Sequence, residues 1–357
     1  MNKLYVKFLF IFLSSFCYSH SPIYNNIKNV IIVSPQSLVT GGAEALVQLF
    51  HELHQAGFTT HMLWISKFSE VKIKYDKGIA YLCPNSTNNG PEVYQIKYQT
   101  KSLANDIPLD QSTLVVLPEI WGNYIPLFKN AKIGFYWLSI EYFKSHPESS
   151  YYRSLIFEKK SDPWNCIHFS DAPWISKTIA EWGIQSYLLE VPISSHYLST
   201  PQQRTKIENS IAYNPAKGFE LAINFIKKHQ DYYYIPLKNL DEQGVINALD
   251  SAKVYIDFGS FPGKDRIPRE ALTRNCVIFI HNAGCATDFD SFPIDNFFRF
   301  TDEEVKNGTL HNKIIYALQH YQEMLALQEP MKKTIIESHE NFKNQINTIF
   351  GEPLKTS

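Results

Sequence analysis

Asp257-Phe258-Gly259-Ser260-Phe261-Pro262-Gly263-Lys264-Asp265-Arg266-Ile267-Pro268-Arg269-Glu270-Ala271 leaves an apolar run and enters a helical one. The run before it, 254–258, is short and continuous, as in a strand covered on both faces. Pro268 suits a first helical turn, which places the loop at a helix N-terminus. Lys264, Arg266 and Arg269 concentrate positive charge there, beside backbone N–H groups that already favour an anion. Phosphate is the ligand this combination favours. Glu270 repels phosphate, but it can accept two hydrogen bonds from a diol such as ribose. A strand, glycine loop and helix of this kind belong to an open α/β sheet, whose ligands bind beyond the carboxyl ends of the strands.

The alternation extends outward from this stretch. Before it come a strand at 211–213, a helix at 219–228 with Phe219, Ile223 and Ile226 on one face, a strand at 232–237 and a helix at 241–251. After the short helix at 268–274 come a strand at 277–280 and two helical stretches, 310–327 and 331–349. Lys217-Gly218 falls between the strand at 211–213 and its helix, so Lys217 projects from the carboxyl end of a sheet, where an ammonium suits a diphosphate. A second set of apolar runs lies N-terminal, at 29–33, 61–65, 113–117, 133–138, 166–170 and 187–191, with a helix at 174–182. Behind the first of these, Gly41-Gly42 opens a helix whose Leu46, Leu49, Phe50 and Leu53 share a face and which Gly57 closes. Paired glycines let a ligand approach the backbone, although they also serve a tight turn. Their spacing is not GxGxxG, which argues against a nicotinamide oxidoreductase. Polar residues at 194–209 read as a linker.

These observations predict an α/β fold of two Rossmann-like domains facing across a cleft. The expected divisions are 1–22, 23–198, 199–330 and 331–357, the last a helix returning to the first domain. Length agrees, since 357 residues exceed one ordinary core. A formal net charge of -1 supplies no general attraction for nucleic acid.

The first twenty residues stand apart. Lys3 and Lys7 precede the apolar run 8–16, with Cys17-Tyr18-Ser19 after it. That is the order of a secretory signal, and the run is well short of the roughly 20 residues that span a bilayer. Phe16 excludes a bacterial lipoprotein signal, which needs a small residue before the cysteine. A signal peptide or short membrane anchor is expected over 1–22. It implies the secretory pathway or peripheral membrane association; a cytoplasmic protein with a packed N-terminal extension is the alternative. Asn85-Ser86-Thr87 and Asn307-Gly308-Thr309 are glycosylation sequons in a secretory lumen. Cysteines 17, 83, 166, 276 and 285 lack metal-ligand spacing, and two disulfides remain arithmetically open if Cys17 is removed.

Gly41-Gly42-Ala43-Glu44 with its amphipathic helix resembles the first-domain opening of GT-B glycosyltransferases, notably the large retaining nucleotide-sugar group (glycosyl transferases group 1). Lys217-Gly218 resembles that group's second-domain Lys-Gly. Glu270-Ala271, followed by a short helix and the strand after it, resembles its Glu-Ala helix. The likeness spans residues 29 to 300. It implies a glycosyltransferase with a nucleotide-sugar donor, a glycan or lipid-linked acceptor, no cofactor and no metal. It further implies that Lys217 contacts the donor diphosphate, Glu270 the ribose and Gly42 the transferred sugar or its phosphate. Gly41 and Gly218 accompany these contacts, and Lys264 or Arg266 supplies the charge of an arginine that is not evident before Lys217. Where the family carries a second glutamate, eight positions before Glu270, this chain has Pro262.

Retention without an enzyme nucleophile follows from the resemblance. An inverting route needs a first-domain base, and Glu119, Glu141 and Asp171 each follow an apparent strand. Glu141 and Asp171 are the catalytic candidates on that route. A GT-B-fold protein that binds a nucleotide sugar or glycan without turnover is the alternative. Asp288-Phe289-Asp290 has the form of a metal motif, but its position marks a loop coincidence.

Overall fold

A computed structural model describes residues 26–84, 90–199 and 204–351. The signal-like segment 1–22 and the Asn85 sequon lie outside the described residues. The first half contains β1 (Asn29–Pro35), α1 (Gly41–Gln55), β2 (Thr59–Ile65), β3 (Lys72–Asp76), β4 (Ile79–Cys83), α2 (Glu92–Tyr98), β5 (Ile107–Leu109) and β6 (Thr113–Pro118). It continues through β7 (Lys132–Trp137), α3 (Ile140–Ser145), α4 (Ser150–Lys159), β8 (Ile167–Ser170), α5 (Pro173–Ala180) and β9 (Ser186–Leu188). The second half follows a short helix, α6 (His196–Ser199), within the expected linker. It holds β10 (Ser210–Tyr213), α7 (Phe219–Lys228), β11 (Tyr233–Pro236), α8 (Glu242–Ser251), β12 (Val254–Asp257), α9 (Arg266–Thr273) and β13 (Val277–His281). β14 (Arg299–Phe300), α10 (Asp302–Asn307), α11 (Thr309–Gln319) and α12 (Tyr321–Phe350) complete it.

Two parallel sheets result, one in the order β2-β1-β6-β7-β8-β9 and the other β11-β10-β12-β13-β14. Each chain path steps outward from its first strand to an edge, then jumps back past it. The reversal falls between β1 and β6 in one sheet and between β10 and β12 in the other. At such a point the flanking loops diverge and leave a crevice beyond the strand ends. Continuous apolar strands demand cover on both faces, and β6 and β12 are buried at every residue.

Several elements depart from the sequence expectation. A small antiparallel sheet, β3-β4-β5, is appended to the first half. Its hairpin turns at Lys77-Gly78, both at positive φ (47° and 83°). The aromatic stretch after β7 forms α3 and α4. The break expected between two closing helices falls at His320 instead, and α12 runs unbroken through Pro330. Packing outweighs the hydrogen bond that proline forfeits. Met324, Met331 and Ile335 join the core containing the second sheet, while Phe342, Ile346, Ile349 and Phe350 join the core around α1. Gln328, fully buried, donates to the Ile278 carbonyl at 2.9 Å and accepts from its N–H at 3.0 Å, as a neighbouring strand would. Phe350 lies between Phe58 and Phe169 of the first domain.

Cysteines 83, 166, 276 and 285 are free thiols. Cys276 precedes β13 and donates to the Leu249 and Ala252 carbonyls at 3.2 and 3.3 Å. Among the described residues, no helix is long and apolar enough to cross a membrane.

Candidate donor site at the facing switch points

The loop 259–265 is held at every turn. Asp257 accepts the Gly259 N–H at 2.8 Å and the Tyr255 hydroxyl at 2.8 Å. Phe261, buried and at φ 50°, accepts the Cys285 N–H through its carbonyl at 2.8 Å. A bulky residue in the left-handed region costs about 1–3 kcal/mol, so the surrounding contacts fix this loop against its own preference. The Pro262 carbonyl accepts the N–H of Ile140, a first-domain residue, at 3.0 Å. The two domains therefore meet directly through the loops after β7 and β12.

Lys217 leaves the end of β10 through an Asx turn, in which Asn214 accepts the Ala216 N–H at 3.0 Å. Its ammonium is half-buried and lies 2.5 Å from Asp265. Burial alone would lower the lysine's pKa, but Asp265 and Asp257 outweigh it and hold the group above its ordinary value. Gly218 caps α7 at φ 57° without a side-chain hydrogen bond, leaving the first N–H groups of that helix unpaired by a cap. A Cβ there would come within 2.0 Å of the Phe258 carbonyl oxygen, so only glycine fits. The α9 N-terminus likewise has no side-chain cap.

Facing these, Gly41 and Gly42 open α1 in the first domain, both exposed. Thr40 caps the helix by accepting the Ala43 N–H at 3.4 Å. The Arg266 stem lies 3.3 Å from the position of a Gly41 Cβ. Its guanidinium donates to Glu44 at 2.8 Å and sits 3.5 Å from Glu270. Burial pushes the Glu270 carboxyl above its ordinary value, with Arg266 opposing the shift. For Glu44 the balance reverses: burial raises it, but Arg266, Lys97 and Tyr98 together bring it below the ordinary carboxylate range. Lys97 continues the network to Glu242 at 2.8 Å, across to the second domain.

The sequence-predicted residues thus divide into groups. Gly41, Gly42, Lys217, Gly218, Arg266 and Glu270 gather where the two switch points face. Lys264 turns toward Glu190, 2.5 Å away, at another part of the interface. Arg269 is buried, donates to the Val191 carbonyl at 3.0 Å and lies beside Asp171. The basic cluster of the sequence is therefore a set of separate pairs, each cation answered by a carboxylate or carbonyl.

Asp171 accepts the Val191 N–H at 2.8 Å; burial pushes it up to about 7 against the pull of Arg269. Glu119, buried at the end of β6, accepts the Leu138 N–H at 3.1 Å and is pushed by burial up to about 8. Glu141 is exposed on α3 and pairs with Lys144 at 3.1 Å. Tyr142, which the sequence reading did not single out, is exposed and close enough to act on the Lys217 charge. Asp288 and Asp290 both bind Lys177, at 2.5 and 2.6 Å, as expected of an ordinary loop. Among the described residues, no group of three His, Cys, Asp or Glu side chains is placed to hold a metal ion.

No protein-family model matches the sequence, and no curated protein matches it. The likeness to solved structures is extensive. The chain matches TarM with a TM-score of 0.58 at 8% identity, over 90% of this chain and 98% of that one. It matches the pneumococcal O-GlcNAc transferase GtfA, solved with UDP and GlcNAc, at 0.55 and 9%, over 90% and 99%. The catalytic domain of starch synthase IV from Arabidopsis thaliana, bound to ADP and acarbose, gives 0.51 and 11%, over 90% and 100%. At these identities the likeness is one of fold. The chain has the GT-B architecture of glycosyltransferases, two Rossmann-like domains facing across a cleft.

Proposed function

We propose that the chain transfers a sugar from a nucleotide-sugar donor to a hydroxyl acceptor on a glycan or lipid-linked molecule, with retention of configuration. One observation carries the reading: Lys217, the uncapped N-terminus of α7 and Glu270 lie beyond one switch point, opposite Gly41-Gly42 at the other. Lys217 and the helix N–H groups stabilise charge that develops on a leaving diphosphate, a task where preorganised donors are most effective. Asp265 holds Lys217 until the diphosphate takes its place. Glu270 accepts from the ribose diol, and Arg266, 3.5 Å away, favours its charged form against the effect of burial. Gly42 leaves room beside the transferred sugar. The basic start and short apolar run of residues 1–22 support the secretory pathway or a membrane surface as its location, with the cytoplasm as the alternative.

A non-catalytic binder of nucleotide sugar or glycan is the second reading. The observation favouring it is Pro262, which stands where the family has a glutamate and whose carbonyl is taken by Ile140.

Thermal stability of the full chain, measured with UDP-, GDP-, ADP- and CMP-sugars and with NAD as control, tests both. A ligand at 100 times its dissociation constant adds about 2.7 kcal/mol. A shift with one nucleotide class, lost in Lys217→Ala, together with product formation, supports the transferase. A shift without product supports the binder. A folded protein that no sugar nucleotide stabilises rejects the transferase and the nucleotide-sugar binder, and leaves only a glycan binder.

A further inference from the structure

A cavity of about 640 Å³, whose lining does not include Lys217, lies between the first domain's β9, the second-domain loop around Asp290 and the crossing helix α12. Its size falls within the roughly 300–1,000 Å³ of ordinary ligand sites. The α12 wall consists of Thr334, Ser338, Asn341, Gln345 and Thr348, spaced four, three, four and three residues apart along one face, with Asn344 and the apolar Ile349 beside them. None of that helix's charged residues (Lys333, Glu337, Glu340 and Lys343 among them) lines the cavity. A solvent face with no other function would carry those charges as readily as any other. Opposite stands the half-buried ring of Tyr187, and Glu190 and Asp290 add acceptors.

The charge of the walls narrows the ligand. Lys264, the cavity's one lining cation, is held by Glu190, and Asp290 is held by Lys177. With each of these charges already paired, the lining offers phosphate or nucleotide no unpaired cation. Thr334, Ser338 and Thr348 donate their hydroxyl protons to helix carbonyls and so offer acceptors, while the amide groups of Asn341, Asn344 and Gln345 supply donors, which together match a ligand whose hydroxyls do both. An aromatic ring offers a flat apolar face to the C–H side of a sugar ring. We infer that this cavity binds a neutral oligosaccharide, at a site separate from the proposed donor site and built jointly by both domains and α12.

Calorimetric titration of the full chain with maltotriose, xylotriose, mannotriose and chitotriose, followed by a neutral-glycan array, tests the assignment. At least one neutral glycan should bind, and UDP should not compete. Asn341→Ala with Asn344→Ala, both exposed positions, should weaken that binding by about tenfold or more, with the melting temperature unchanged. Retention of no glycan by the folded protein overturns the inference. So does binding that survives the double substitution, or that UDP displaces. Because the readout is independent of sugar nucleotides, loss of the donor reading leaves this one standing, and the reverse.

Discussion

The glycines of the two switch points differ in what they answer to. In the second domain the fold itself demands them. Gly218 has a left-handed backbone and the Phe258 carbonyl where a Cβ would lie, and a Cβ on Gly263 would fall 2.1 Å from the Leu138 carbonyl oxygen. In the first domain the fold makes no such demand at Gly42. Its φ is not positive, and a Cβ would meet only a Leu138 methyl at 3.8 Å, an ordinary contact. The charges divide as well: buried acids follow β6 and β8 of the first domain, Glu119 of them at its switch point, and paired cations surround the second. The second domain is thus built to hold its loops in place, and the first leaves room at Gly42 for a methyl that none of the described residues blocks.

The largest effect should come from Gly218→Ala. Left-handed strain and overlap with the Phe258 carbonyl together should remove about 3 kcal/mol or more of stability. Urea unfolding measures it; a loss under about 1 kcal/mol would show that the α7 N-terminus relaxes freely and that the contrast is overdrawn. Gly263→Ala should follow, at about 1–3 kcal/mol, because the added methyl must push apart the loops that join the domains. Small-angle scattering should record a larger radius of gyration for that variant. An unchanged radius with unchanged stability would mean that the contact between Leu138 and Gly263 does not hold the domains together.

The strands, their order along the chain and the three loops at strand ends were readable because each rests on local pattern: a short apolar run, a glycine, a helix start. The partners of the charges were not. Arg266 meets Glu44 across 222 residues and Lys264 meets Glu190 across 74, and no local spacing encodes either. A run of basic residues therefore looked like one anion site when it is several ion pairs. The appended hairpin was within reach, since Asp76-Lys77-Gly78 is a turn signal between alternating residues. The α3–α4 region was not, because its aromatic residues pack on several sides and leave no single apolar stripe. The break expected between 327 and 331 is absent although Pro330 falls there: proline ends a helix only where tertiary packing does not hold both flanks.

The buried acids sharpen the comparison through pH. Glu119 and Asp171 keep a proton in the folded protein up to about 8 and 7, whereas the unfolded chain releases it near the ordinary carboxylate value. Between pH 5 and 7, therefore, the folded state binds more protons, and these two groups make stability fall as pH rises. The slope is at most about 1.4 kcal/mol per pH unit for each group. Half-buried histidines such as His61 and His339, whose pKa values burial lowers, act in the opposite sense. The measurement is accordingly a difference: urea midpoints of wild type and Glu119→Gln across pH 5 to 8. Wild type should lose stability relative to the variant as pH rises. Parallel curves would place Glu119 in contact with water and remove the buried-acid half of the contrast.

Gly42→Ala carries the smallest change in stability and the most information. Alanine is the better helix former by up to about 1 kcal/mol in a helix interior and less in a first turn, and Leu138 leaves room for the methyl. The variant should be as stable as wild type or slightly more so. Glycine at this position then has no explanation within the fold, and a ligand approaching the helix N-terminus supplies one. Affinity for the stabilising sugar nucleotide should fall by about tenfold, since a methyl would stand where the transferred sugar or its phosphate comes closest. Neither change alone decides the matter. Lower stability with weaker binding would make Gly42 a structural glycine like Gly218. Unchanged stability with unchanged binding would leave Gly41-Gly42 as a helix start and move the donor's sugar away from the first domain. Unchanged stability with weakened binding is the result expected of a glycine kept for the ligand alone.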